Sequence, residues 1–128
     1  MPEKPHAPRP TIRRAADSDE FFISEQCHIR ELSNHADDPM LSVAQARVEP
    51  GVSTRWHVLD GITERYLILS GTGTVEVGDL EPQQVVPGDV VLIPPQCRQR
   101  IHNRGHEDLV FLALCTPRFV PEAYREIT

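Results

Sequence analysis

Turn signals recur through this chain at intervals too short to leave room for helices. From residue 50 onward they are Pro50-Gly51, Asp60-Gly61, Gly71-Thr72-Gly73, Gly78-Asp79, Pro87-Gly88-Asp89, Pro94-Pro95, Arg104-Gly105 and Pro117. Glycine and proline punctuate a backbone because one supplies positive φ and the other fixes φ and removes a donor. Between these signals lie short stretches rich in β-branched and apolar residues, predicting strands over 41–48, 54–59, 63–69, 74–77, 83–86, 90–93, 98–103 and 109–115. Many short strands at near-regular spacing predict a sandwich or barrel. Val90–Ile93 and Leu109–Leu114 are apolar at every position, which predicts strands covered on both sides, the outer cover being a second subunit.

The ends of the chain read differently. Residues 1–20 carry Pro2, Pro5, Pro8 and Pro10 among many charges and are expected to form a flexible tail, with one folded domain over 21–128. Near the C-terminus, Pro121 to Ile127 is the one expected helix, with proline in the first turn where its missing N–H does no harm. A chain of 128 residues is long enough to bury a core. Its net charge of −6 argues against nucleic acid as a partner. No apolar run reaches membrane length and no secretory signal is visible, so a cytoplasmic location and no membrane partner are expected. Cys27, Cys97 and Cys115 are an odd, scattered set, expected to be reduced thiols; Cys97 lies in a turn beside the expected pocket.

One spacing narrows the fold. Gly51, His57, Glu64 and Gly71 repeat the skeleton of the first cupin motif, G-x5-H-x-H-x4-E-x6-G, with Leu59 in place of the second histidine. Pro87-Gly88-Asp89-Val90 and Ile93-Pro94-Pro95 resemble the second motif, with Gln96 for its turn glycine and Gln99 for its histidine. Over roughly residues 40–117 the chain thus resembles a small single-domain cupin. The resemblance implies an all-β double-stranded β-helix, a jelly-roll barrel of two antiparallel sheets.

Strand alternation then places side chains. Arg55, His57 and Leu59 share one face, as do Glu64, Tyr66 and Ile68, and as do Gln99, Ile101 and Asn103. The resemblance turns all three sets into the barrel. His57, Glu64 and Gln99 then stand at ligand positions for a divalent metal, with iron, manganese, nickel and zinc alike compatible. Arg55, Leu59, Tyr66 and Ile101 are expected around the pocket. Leu59 removes a strong donor, and glutamine is a weaker one. His6, His35 and His106 lie outside the motif. His28 or His102 would complete the set only if the register departs from alternation.

Three functions fit this pattern. One is a metal-binding cupin acting on a small polar or organic-acid ligand, by oxygenation or isomerisation. Another is a metal-free module that binds or senses a small molecule in the same pocket, where Glu64 in an apolar cavity would have a raised pKa. The third is a purely structural dimer with a filled barrel. A homodimer is expected in each case.

Overall fold

The computed structural model describes residues 8–128. His6 and the first prolines of the expected tail lie outside that span. Eleven strands are present: β1 Phe21–Ile23, β2 Cys27–Ser33, β3 Ser42–Val48, β4 His57–Leu59, β5 Thr63–Ser70, β6 Gly73–Val77, β7 Gln83–Val85, β8 Val90–Ile93, β9 Gln99–His102, β10 Leu109–Thr116 and β11 Tyr124–Glu126. They form a six-stranded sheet, β1-β2-β3-β10-β5-β8, and a five-stranded sheet, β11-β4-β9-β6-β7. All pairings are antiparallel. Consecutive strands repeatedly cross from one sheet to the other, so the chain wraps a jelly roll as the turn spacing predicts.

Alternation sets the core. Along β5, Glu64, Tyr66 and Ile68 are buried while their neighbours are not. Along β6 the buried set is Gly73, Val75 and Val77. Tyr66, Ile68, Val75 and Val77 join Val48, Ile101, Leu109 and Phe111 in one core between the sheets. Gly71 shows why its turn requires glycine. Its φ is +77°, and a Cβ there would run into the Asp108 carbonyl.

The strands over 41–48, 63–69, 74–77, 83–86, 90–93, 98–103 and 109–115 form within a residue of the expected ends. Three features differ. The stretch from Thr54 joins its strand only at His57, because Thr54 and Arg55 bond to Ile101 and to the Glu25 carbonyl rather than continuing a ladder. The helix expected over Pro121–Ile127 is a single 3-10 turn, Pro121–Ala123, followed by β11. A seven-residue helix is marginal alone, whereas the free edge of β4 offers backbone partners. Finally, Val90 and Leu92 are uncovered on their outer side within one chain, being 63% and 61% exposed.

The N-terminal region adds the hairpin β1–β2. Its three-residue loop, Ser24–Gln26, ends with Gln26 at φ 77°, the left-handed residue that such loops use. The Glu25 carbonyl accepts the Arg55 N–H at 3.1 Å, which fastens the loop to the barrel mouth. Residues 8–20 run outside the sheets, where Arg13 pairs with Asp37 and Glu20 with Arg47, both at 2.7 Å.

Candidate functional site

A cavity of about 360 Å³ opens at one end of the barrel, between β2, β3, β4, β5, β10 and β11. That volume is in the range of small-ligand sites. Its wall is mostly apolar, and its polar groups are few: His57, Glu25, Glu31, Glu64, Asn34 and the Tyr124 hydroxyl are the ones that matter chemically.

His57 is the most constrained. It begins β4 and is 2% exposed. Its Nδ1 lies 2.9 Å from Glu25 Oε1 and 3.0 Å from the Arg55 carbonyl. Two acceptors on one ring nitrogen fix Nδ1 as the protonated one and leave Nε2 for a ligand. Tyr124 stacks on the imidazole with centroids 5.0 Å apart. Burial disfavours the imidazolium, but Glu25, the Arg55 carbonyl and Glu64 outweigh it, and the His57 pKa is raised.

Glu64 stands on the neighbouring wall of the cavity. Burial first, and repulsion from Glu25 second, push its carboxyl up to about 7, against smaller opposing effects of His57, Gln99 and Cys115. Its Oε2 receives only a weak thiol contact from Cys115 at 3.7 Å, and its Oε1 has no hydrogen-bond partner. Burial and nearby carboxylates also raise the Cys27 and Cys115 thiols and the Tyr124 phenol, which all stay protonated near neutrality. The Tyr124 hydroxyl likewise lacks a partner.

The structure sorts the expected site residues. His57, Leu59 and Glu64 line the cavity. Gln99 is fully buried behind that wall, where its Oε1 accepts the Tyr66 hydroxyl at 2.5 Å and its Nε2 has no partner. Tyr66 packs on Phe111, with centroids 4.4 Å apart, and Ile101 is part of the sealed core. These two are interior, but they support the pocket rather than line it. Arg55 is a correction: its side chain points to solvent and pairs with Glu126 at 3.0 Å, because it precedes β4, which begins only at His57.

The remaining histidines and the turn thiol are elsewhere. His28 sits between Glu20 and Glu49 and against Phe22, away from the cavity. His102 points away from the cavity, with Ser53 Oγ at 2.5 Å and Glu76 at 2.6 Å. Cys97 lies near Gly78, outside the cavity wall, and burial raises its pKa.

Glu25, Glu31 and Tyr124 are the functional candidates that motif spacing does not reveal. Glu25 sits on a loop between two short strands with weak alternation. Tyr124 falls in a segment whose leading proline mimics a helix start. The pattern Cys27-x-Ile29-x-Glu31 alternates and is the one signal that could have placed a carboxylate on the inner face of β2.

These donors do not make a divalent-metal site. His57 Nε2 and Glu64 Oε1 are available, but Leu59 replaces a third donor and the Gln99 oxygen is taken by Tyr66. Among the described residues no three His, Cys, Asp or Glu side chains are placed to hold an ion. Two free donors fall short of the three protein ligands that catalytic zinc sites use.

Residues 44–115, more than half of the chain, match the Cupin domain family. The chain is a cupin. The uncharacterized protein MJ1618 of Methanocaldococcus jannaschii is 35% identical over 81 residues, which are 63% of this cupin and 64% of that protein. The match thus spans less than two thirds of the relative's length. Among solved structures, the Streptomyces protein Pac13, described as a nucleoside dehydratase, is similar at a TM-score of 0.76 and 17% identity, over 93% of this chain and 92% of that one. A predicted oxalate decarboxylase from Thermotoga maritima is similar at 0.68 and 21% identity, over 84% and 99%. At these identities the likeness is one of fold.

Proposed function

We propose that this cupin is a small-molecule enzyme of the isomerase or dehydratase type, in which His57 and Glu64 move a proton on a ligand held in the barrel. One observation carries this reading: a buried carboxyl with a free oxygen and a pKa of about 7 shares a mostly apolar cavity with an imidazole whose Nδ1 is already fixed. General acid–base catalysis works best when the pKa lies near the working pH. The carboxylate form of Glu64 accepts a proton from the ligand, and the His57 imidazolium, favoured by the raised pKa, donates one from Nε2 to the departing or rearranging oxygen. Glu25 holds the ring in place and offsets the imidazolium charge. Oxygenation is not favoured, because the donor set lacks the ligands to position a metal. Barrels of the same fold include one described as a dehydratase, a reaction that needs one acid and one base.

The test is turnover of small hydroxy-carbonyl and sugar-like compounds, followed by mass spectrometry in deuterated water. The wild type is expected to lose water from, or exchange deuterium into, one of them, with or without a chelator. Replacing His57 or Glu64 by glutamine should reduce the rate by about 100-fold or more. Activity abolished by the chelator would contradict the metal-free mechanism. Saturable binding with no turnover or exchange would make the barrel a binding module instead.

The same proposal includes a homodimer. β8 is an edge strand with an uncharged sequence, and Val90, Leu92 and the nearby Leu69, Leu80 and Val86 are exposed. An antiparallel edge can pair with its own copy about a two-fold axis.

A further inference from the structure

We infer that the cavity takes a small organic cation: an ammonium group on an apolar body, the ammonium against Glu64 and the body against Phe21, Phe119 and Tyr124. This ligand class belongs to the cavity proposed above as the active site and rests on that assignment.

The charges on the wall are lopsided. Glu25, Glu31 and Glu64 line the cavity against one imidazole, and no Lys or Arg is among the described lining residues. Glu25 is engaged by His57 at 2.9 Å. That leaves Glu64 and, at the mouth, Glu31 without a cation of their own. An anionic ligand would find no ammonium or guanidinium on the described wall to pair with it, and would oppose the ionisation of Glu64. An organic acid, expected from the sequence, is therefore disfavoured here.

A second, independent feature points to the ligand's donor. Glu64 is 8% exposed, lines the cavity, and has an oxygen that makes no well-formed hydrogen bond, the Gln99 amide acting on it only weakly. A buried carboxyl oxygen is unfavourable until a donor reaches it. The Tyr124 hydroxyl is a second such atom on the facing wall. An ammonium supplies three donors and the opposite charge. The aromatic rings of Phe21, Phe119 and Tyr124 supply apolar area and π faces that attract cations.

Binding then couples to protons. The groups around Glu64 are Glu25 from the β1–β2 loop, Cys27 from β2, His57 from β4, Tyr66 on its own strand, Gln99 from β9 and Cys115 from β10. An ammonium beside Glu64 favours its ionised form, so binding below pH 7 releases a proton.

The test is calorimetry with three probes of one skeleton: 2-phenylethylamine, 2-phenylethanol and phenylacetate. The amine is expected to bind about tenfold or more tighter than the alcohol, with proton release at pH 6, and phenylacetate is expected to bind least. Glu64→Gln should bring amine and alcohol to similar affinity, and Glu31→Gln, at the exposed mouth, should narrow the gap without threatening the fold. His57→Gln should keep the preference. Equal binding of all three, tighter binding of phenylacetate, binding of none, or a preference untouched by both glutamate variants would overturn the assignment. Preference for the amine without any turnover would sink the catalytic proposal alone. Turnover dependent on His57 and Glu64 without that preference would sink the ligand class alone.

Discussion

At the scale of single residues, Glu64 was legible and its environment was not. The resemblance turned it to the inner face of β5, and the structure buries it there in phase with Tyr66 and Ile68. Nothing in the spacing announced Glu25, whose loop is fastened by a backbone bond to Arg55, or showed that Tyr66 would take the Gln99 oxygen. The buried carboxyl has a thermodynamic consequence. A pKa raised from 4.5 to about 7 means the folded state holds a proton that the unfolded chain releases, so stability falls as pH climbs through that window. His57 acts in the same direction: its raised pKa contributes stability that is present below the unfolded value and lost as pH rises through the folded one. Glu64→Gln is therefore expected to be more stable than wild type at pH 8 by about 3 kcal/mol at most, and near parity at pH 4.5, in urea titrations across that range. A variant less stable at pH 8 would show that the carboxylate is well solvated. Tyr66→Phe should lose about 1–3 kcal/mol at every pH, because it strips the Gln99 oxygen of its donor.

At the scale of elements, turn chemistry carried most of what the sequence revealed. Glycine and proline mark strand ends because their backbone preferences are local, and β8 formed where Pro87-Gly88-Asp89 and Pro94-Pro95 bracket it. Gln96 is instructive. It stands where the resemblance calls for glycine, and it adopts that glycine's geometry, with φ 61°. Its side chain bonds Asp60 at 3.2 Å in partial compensation. Gln96→Gly is expected to raise stability by about 0.5–1 kcal/mol, read from the urea midpoint, since a Cβ in the left-handed region is costly. β11 failed to show in the sequence because its pairing is entirely non-local: Tyr124 meets Leu59 and Glu126 meets His57 across more than sixty residues. Removing residues 122–128 should strip His57 of its stacked ring and expose the edge of β4. The loss is expected to be several-fold in ligand affinity, measured with 2-phenylethylamine, with the barrel still folded by its circular dichroism.

At the scale of the whole molecule, the barrel leaves one apolar face and one pocket unexplained by its own packing. The face is the outer side of β8 with its neighbours. A mass in solution near twice 14.4 kDa is expected, falling to the chain mass in Leu92→Arg without unfolding. A wild-type monomer at micromolar concentration would contradict the dimer. The pocket depends on a carboxyl that the folded barrel holds protonated well above the usual carboxylate range. Infrared difference titration of wild type against Glu64→Gln measures that directly. A carboxylic-acid carbonyl band present at pH 6 and half lost near pH 7 is the predicted result. A Glu64 already fully ionised at pH 5 would contradict the account.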